Sequence, residues 1–234
     1  MRNELLNGYV IHHRKYREKS YIIHIFSEEY GRVDGILRQV PPPQYQSIRV
    51  YATGKGELKN FSHLELSYQP VFLTGDAFFV GFYLNELLLK LSPVEQDMPQ
   101  TFHQYQKSIE ILKILNQSPQ MDLELRQMLR QFEYVFLQDL GYLVNYESDS
   151  MNEEIQEHCA YRFSINDGFV PCMPDKNAFS GKQILTMHND FENGFSIEQL
   201  NFLNKLHRLM INDLLGDKPL KSRQLWIQHK QKLT

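Results

Sequence analysis

The spacing of apolar residues changes at Asp76, and that change constrains the fold more than any other feature of the chain. Before it, GYVIHH, SYIIHIFS, GRVDGILR, SIRVYAT and ELKNFSHLEL follow one another at short intervals. They are rich in Ile, Val, Tyr and Phe and are separated by Gly, Pro and charged residues, the texture of short antiparallel strands. After it, DAFFVGFYLNELLLKL, TFHQYQKSIEILKILN and DLELRQMLRQFEYVFLQDLGY place apolar residues three and four apart, as in Leu125, Met128, Leu129, Phe132, Val135 and Phe136. That is the period of packed helices. Strands first and helices afterwards define an α+β chain.

Five strands of this length fit a small barrel of the OB-fold type, so residues 1–75 are expected to form an OB-fold domain and residues 76–234 a helical domain. Pro41, Pro42 and Pro43 offer no N–H to a ladder and mark a connection between strands. YRFSINDGFVPC interrupts the helical pattern as a hairpin turning near Asn166, Asp167 and Gly168, which places a small inserted module at about 155–178. Asp122 and Gly141 are suited to start and stop the third helix. In GDKPLKSRQLW, Gly216 is suited to close one helix and Pro219 to open the next.

Bulk properties remove several classes of function. With 42% hydrophobic residues in 234, a packed core is expected rather than disorder. The N-terminus, MRNELLNGYV, has no apolar core of signal-peptide length, and no apolar run approaches the roughly 20 residues needed to span a bilayer. The expected location is the cytoplasm, with no membrane partner. The two cysteines, Cys159 and Cys172, form no C-x-x-C pair, and are read as ordinary thiols rather than as a zinc ribbon or a redox motif.

Motifs for catalysis fail one by one. ATGKGE looks like a phosphate-binding loop, but Arg49 stands where its first Gly belongs and Gly56 where its hydroxyl belongs. GKQ at 181–183 fails because position 176 is Lys. No H-E-x-x-H pair and no G-x-S-x-G elbow occurs. His12 and His13 are neighbours in a strand and point to opposite faces, so they do not chelate one ion. His207 lies beside Leu203 and Met210 on an apolar helix side and reads as a core histidine. No catalytic residue, metal site or cofactor is expected.

Charge is distributed unevenly along a chain whose formal net charge is -3. Residues 1–75 hold ten Lys/Arg and seven Asp/Glu, residues 76–160 five and fourteen, residues 161–234 ten and seven. Cationic ends on an acidic protein create a local field that attracts a polyanion, although a solvated surface has the same composition. HHRKYREKS and the Tyr after it interleave Arg14, Lys15, Arg17 and Lys19 with Tyr16 and Tyr21 as stacking platforms. Small barrels bind single strands through such cationic, aromatic tracks, and a charged turn between strands reads the same way. Lys218, Lys221, Arg223, Lys230 and Lys232 form the second cluster.

GYVIHHRKYREKSYIIHIFSEEYGRV, GKGELK, GFYLNELLLKL, LRQFEYVFLQDLGY and GDKPLKSRQLW, in this order and over nearly the whole chain, resemble the RecO family of bacterial recombination mediators. The resemblance implies an N-terminal OB-fold barrel and a helical domain enclosing a zinc-finger-like module. It implies no catalysis: members bind single- and double-stranded DNA, anneal complementary strands, engage RecR and help load RecA onto DNA coated by the single-stranded DNA-binding protein SSB. Some members hold zinc with four cysteines; with two, this chain is expected to have a metal-free hairpin.

The family's long basic loop is here the shorter DGILRQVPPPQYQSIRVYAT, with Arg38 and Arg49 alone. DNA contact is therefore expected from Arg14, Lys15, Arg17, Lys19 and Arg38, joined by Lys218, Lys221 and Arg223; the last three equally suit helix ends and solubility. The resemblance also implies that the acidic, apolar SSB tail docks at LRQFE, with Arg130 as carboxylate partner and Phe132 as a pocket or core residue, Gln131 standing where a second Arg is common. The alternative is an adaptor recruited by SSB or RecR whose own DNA affinity is slight.

Overall fold

The computed structural model describes residues 1–67, 71–115, 122–188, 194–216 and 218–233. These fall into two compact units: residues 1–121 together with 220–234, and residues 122–219. The boundary expected at 75/76 lies inside the first unit. Asn189 and Asp190, at the end of one expected helix, and Asp217, in the terminal cluster, lie outside the described residues.

In the first unit five strands close a barrel in the order β1-β2-β3-β5-β4: β1 (Arg2–Arg17), β2 (Ser20–Ser27), β3 (Gly31–Leu37), β4 (Ser47–Thr53) and β5 (Leu58–Leu66). This is the OB-fold arrangement expected from the strand pattern. One long strand makes closure possible. The first half of β1 pairs with β4, Leu6 opposite Val50, and its second half with β2, His13 opposite Ile23. A register break between Val10 and His12 bends the strand between its two partners, as bulges do. Parallel pairing of Asp34 with Leu58 joins β3 to β5, and Leu6, Val10, Ile23, Ile25, Val33, Val50 and Phe61 fill the interior.

The helices α1 (Gly75–Leu91), α2 (Pro99–Leu115) and α6 (Lys221–Leu233) belong to this unit as well. The reason is aromatic packing: Tyr9 and Phe26 of the barrel meet Phe102 and Tyr105 of α2 with ring centroids 5.3–6.1 Å apart. A polar chain ties α1 to β1 at the same level, with Asn85 Nδ2 donating to the Ile11 carbonyl at 3.0 Å and Tyr105 donating to Asn85 at 2.7 Å. Gly31 sits at φ 59°, where a Cβ would lie 2.0 Å from the Gln96 carbonyl oxygen, so the β2–β3 turn admits no side chain there.

The second unit contains α3 (Asp122–Asp139), the hairpin β6 (Ala160–Ser164) and β7 (Gly168–Cys172), the short β8 (Phe179–Ser180), α4 (Gly181–Leu185) and α5 (Ile197–Leu215). Helix α3 ends as the sequence indicated. The Gly141 amide reaches the Gln138 carbonyl and the Tyr142 amide the Leu137 carbonyl, with Gly141 at φ 89°, the paired bonds of a Schellman motif. Ser180 and Ser196 open α4 and α5 with reciprocal capping boxes to Gln183 and Gln199.

Phe169, Phe179 and Phe202 pack against one another beneath the hairpin. Cys159 and Cys172 are free thiols. Among the described residues no three His, Cys, Asp or Glu side chains gather as a metal would require, and no helix is long and apolar enough to cross a membrane.

Candidate nucleic-acid interface

The β1–β2 hairpin carries the first expected cluster. Arg17 pairs with Ser20 and Lys15 with Tyr21, so the strands separate only at the turn. Tyr21 in turn pairs with Leu37 of β3, and Arg38 leaves the sheet at that same end of the barrel. Strand register thus gathers Arg14, Lys15, Arg17, Lys19 and Arg38, all exposed. None of the five has an acidic partner among the described residues.

Tyr16 stands 44% exposed beside them, with the Arg17 guanidinium 5.0 Å from its ring centre. Tyr21 differs from the expectation of a second stacking platform: its ring lies partly buried against the barrel core. Behind the tip, His24 Nδ1 lies 2.7 Å from Asp34, and Arg32 holds the same carboxylate through two bonds of 3.0 and 2.7 Å while donating to the Leu89 carbonyl at the end of α1. Burial works to raise the Asp34 pKa, but the hydrogen bonds and charges of His24 and Arg32 outweigh it and bring the carboxyl down to about 2.

The terminal cluster is divided. Lys218 is exposed and belongs to the second unit, whereas Lys221 and Arg223 belong to the first. Arg223 is half-buried over the Tyr83 ring, 5.6 Å from its centre, so packing on α1 occupies much of it. Lys221 is the first residue of α6, and its amide and that of Ser222 each donate to Glu86 of α1 at 2.9 Å. Lys90 meets the same carboxylate at 3.1 Å. Burial opposes the charge of Glu86, but those amides and Lys90 hold its pKa below the ordinary value. The Lys221 ammonium itself is exposed and has no acidic partner among the described residues.

In the second unit Arg130 and Phe132 sit deeper than a docking role suggests. Arg130 is 7% exposed; it donates to Glu133 at 3.0 Å and to Asn204 at 2.9 Å. Glu133 also meets His207 Nδ1 at 3.0 Å, which makes His207 the buried, satisfied histidine its helix position indicated. Burial lowers the His207 pKa, against the pull of Glu133. Phe132 is 0% exposed and stacks on Phe136.

Glu86 was not legible in the sequence as part of this region. Its signal was an acid inside the apolar run of α1, where it requires partners.

Two families of known proteins match successive parts of the chain. The family described as "Recombination protein O N terminal" matches residues 1–69, and "Recombination protein O C terminal" matches residues 73–186. A "DNA repair protein RecO" from Alteromonas mediterranea is 32% identical over 97% of this chain and 98% of its own length. Proteins of the same description from Pseudoalteromonas translucida (31%, over 97% and 98%) and Coxiella burnetii (30%, over 93% and 95%) are similar to it as well.

Proposed function

Because this chain belongs to the RecO family and so serves DNA repair, we propose that it is a recombination mediator without catalysis of its own. It binds single- and double-stranded DNA, anneals complementary strands, and with RecR helps load RecA onto SSB-coated single strands. The observation that carries this reading is the barrel tip, where five cations without acidic partners among the described residues surround an exposed Tyr16. Cations supply sequence-independent phosphate contact, and an exposed ring lets any base stack. Lys221 and Arg223 of the same unit add phosphate contact, Arg223 least because it packs on Tyr83, and Lys218 adds its own from the second unit. For the SSB tail, Arg130 is the carboxylate partner, shared with Glu133 and Asn204, and Phe132 stands behind it in the core.

Fluorescence anisotropy of a labelled single strand across a salt series tests the reading. The five tip cations by themselves give a slope of log K against log salt of about -3.5, and each further Lys or Arg engaged adds about -0.7. The variant with Arg14, Lys15, Arg17 and Lys19 all changed to Ala is expected to bind weakly, with a slope shallower by about 2.8. Absent or salt-insensitive binding by the unaltered protein would instead favour an adaptor brought to DNA by SSB or RecR.

A further inference from the structure

A cavity of about 250 Å³ opens in the first unit two residues along β1 from the basic tip. Ile11, Phe82 and Leu89 give it apolar walls; His12 and Gln44 bring polar atoms to it, and Lys90 and Lys221 bring cations. Glu86 and Asn85 line the cavity as well, but both are already engaged. Glu86 is held by the α6 amides and Lys90, and Asn85 bonds Ile11 and Tyr105. By contrast, His12 Nδ1 is buried and has no hydrogen-bond partner among the described residues. Burial first, and then the neighbouring His24, His13, Arg14 and Lys221, lowers the His12 pKa, which favours the neutral ring.

The wall continues outward as an aromatic platform. Phe82 stacks on Phe78, one helical turn away on α1, at 6.5 Å and 28° between planes, and Phe78 is 43% exposed.

We propose that this cavity is a subsite for one unstacked nucleotide of single-stranded DNA, its base against Phe82 with His12 and Gln44 at its polar edge, its phosphate at Lys221 and Lys90. The inference rests on the DNA-binding reading above and adds strand discrimination to it. The ligand chemistry follows from the lining: a flat ring with donors and acceptors on its edge, attached to an anion, matches an apolar wall with a neutral His, an amide and ammonium groups. At about 250 Å³ the cavity lies below the roughly 300–1,000 Å³ of drug-sized pockets, so it admits one base. A paired base would first have to leave its stack, which a single strand permits at least cost. Along β1, at about 3.3 Å per residue, His12 to Arg17 spans about 16 Å, so a strand seated in the cavity can reach the basic tip.

The test compares a 2-aminopurine-labelled oligothymidine with a duplex of the same length. The probed proteins are the unaltered protein, Gln44→Ala and Phe82→Leu, each checked for native circular dichroism. Neither residue is among the cations assigned to phosphate contact, and Gln44 lies outside the helices and strands. The expected result is enhanced 2-aminopurine emission on binding to the unaltered protein, lost in Phe82→Leu. Single-strand affinity should fall about tenfold in Phe82→Leu and less in Gln44→Ala, with duplex affinity within about twofold.

Equal losses for both DNA forms, or no loss while the unaltered protein binds normally, would sink the subsite and leave the DNA-binding role standing. The subsite falls equally if an acidic, apolar peptide occupies the cavity and leaves oligonucleotide binding unchanged. No oligonucleotide binding by the unaltered protein would overturn both.

Discussion

Asp34 illustrates how one side chain couples the barrel to its helices. Its carboxylate holds His24 and Arg32, and Arg32 reaches the end of α1. The folded pKa, about 2, lies below the ordinary 3.8, so the ionised form favours folding. That contribution is complete above about pH 4 and is lost as the pH falls toward 2; the shift corresponds to about 2 kcal/mol. Asp34→Asn is therefore expected to lower stability by about 2 kcal/mol at pH 7 and to flatten its pH dependence between pH 4 and 2, as read by urea unfolding. Unchanged acid sensitivity in the variant would place the decisive carboxylate elsewhere. Arg130 is a similar case: its type and position were legible as a cation in LRQFE, but its burial against Glu133 was not, because Glu133 and His207 meet only across two helices.

At the scale of elements, the start of α6 depends on a residue 135 positions away. Glu86 accepts the amides of Lys221 and Ser222 and so supplies the cap that a local Ser or Asp supplies in other helices. Pro219 was expected to open this helix; α6 instead begins at Lys221, where the carboxylate is. Glu86→Ala is expected to cost about 1–2 kcal/mol and to speed hydrogen exchange at the amides of Lys221 and Ser222, while those of α2 stay protected. Uniform protection would mean that the cap is dispensable. The strands and the helices α1, α2, α3 and α5 were legible because their apolar periods differ. The Schellman end of α3 was legible from Gly141. A cap contributed from a distant helix leaves no local trace.

For the whole molecule, the chain returns to its first unit at the end: residues 220–234 pack with residues 1–121. Trp226 and His229 of α6 lie on Phe79, with centroids 5.9 and 4.8 Å apart, and Lys230 pairs with Asp76. Removal of residues 220–234 is expected to lower the melting temperature by several degrees, since losing about 1 kcal/mol shifts Tm by roughly 2–8 °C, and to expose the Phe79 face to a hydrophobic dye. A melting curve indistinguishable from that of the full chain would show that α6 adds nothing to the unit.

By itself, the sequence determined the α+β class, the barrel strands and the identity of the cations, because periodicity, turn residues and charge are local properties written in residue order. Tertiary structure alone decided which cations stay available. Register carried Arg38 to the tip with Arg14, Lys15, Arg17 and Lys19, packing turned Arg223 onto Tyr83 and Arg130 onto Glu133, and the meeting of β1, α1 and α6 made the cavity at His12. Most of those outcomes depend on partners far apart in the chain, and contacts at that distance are set by how elements pack.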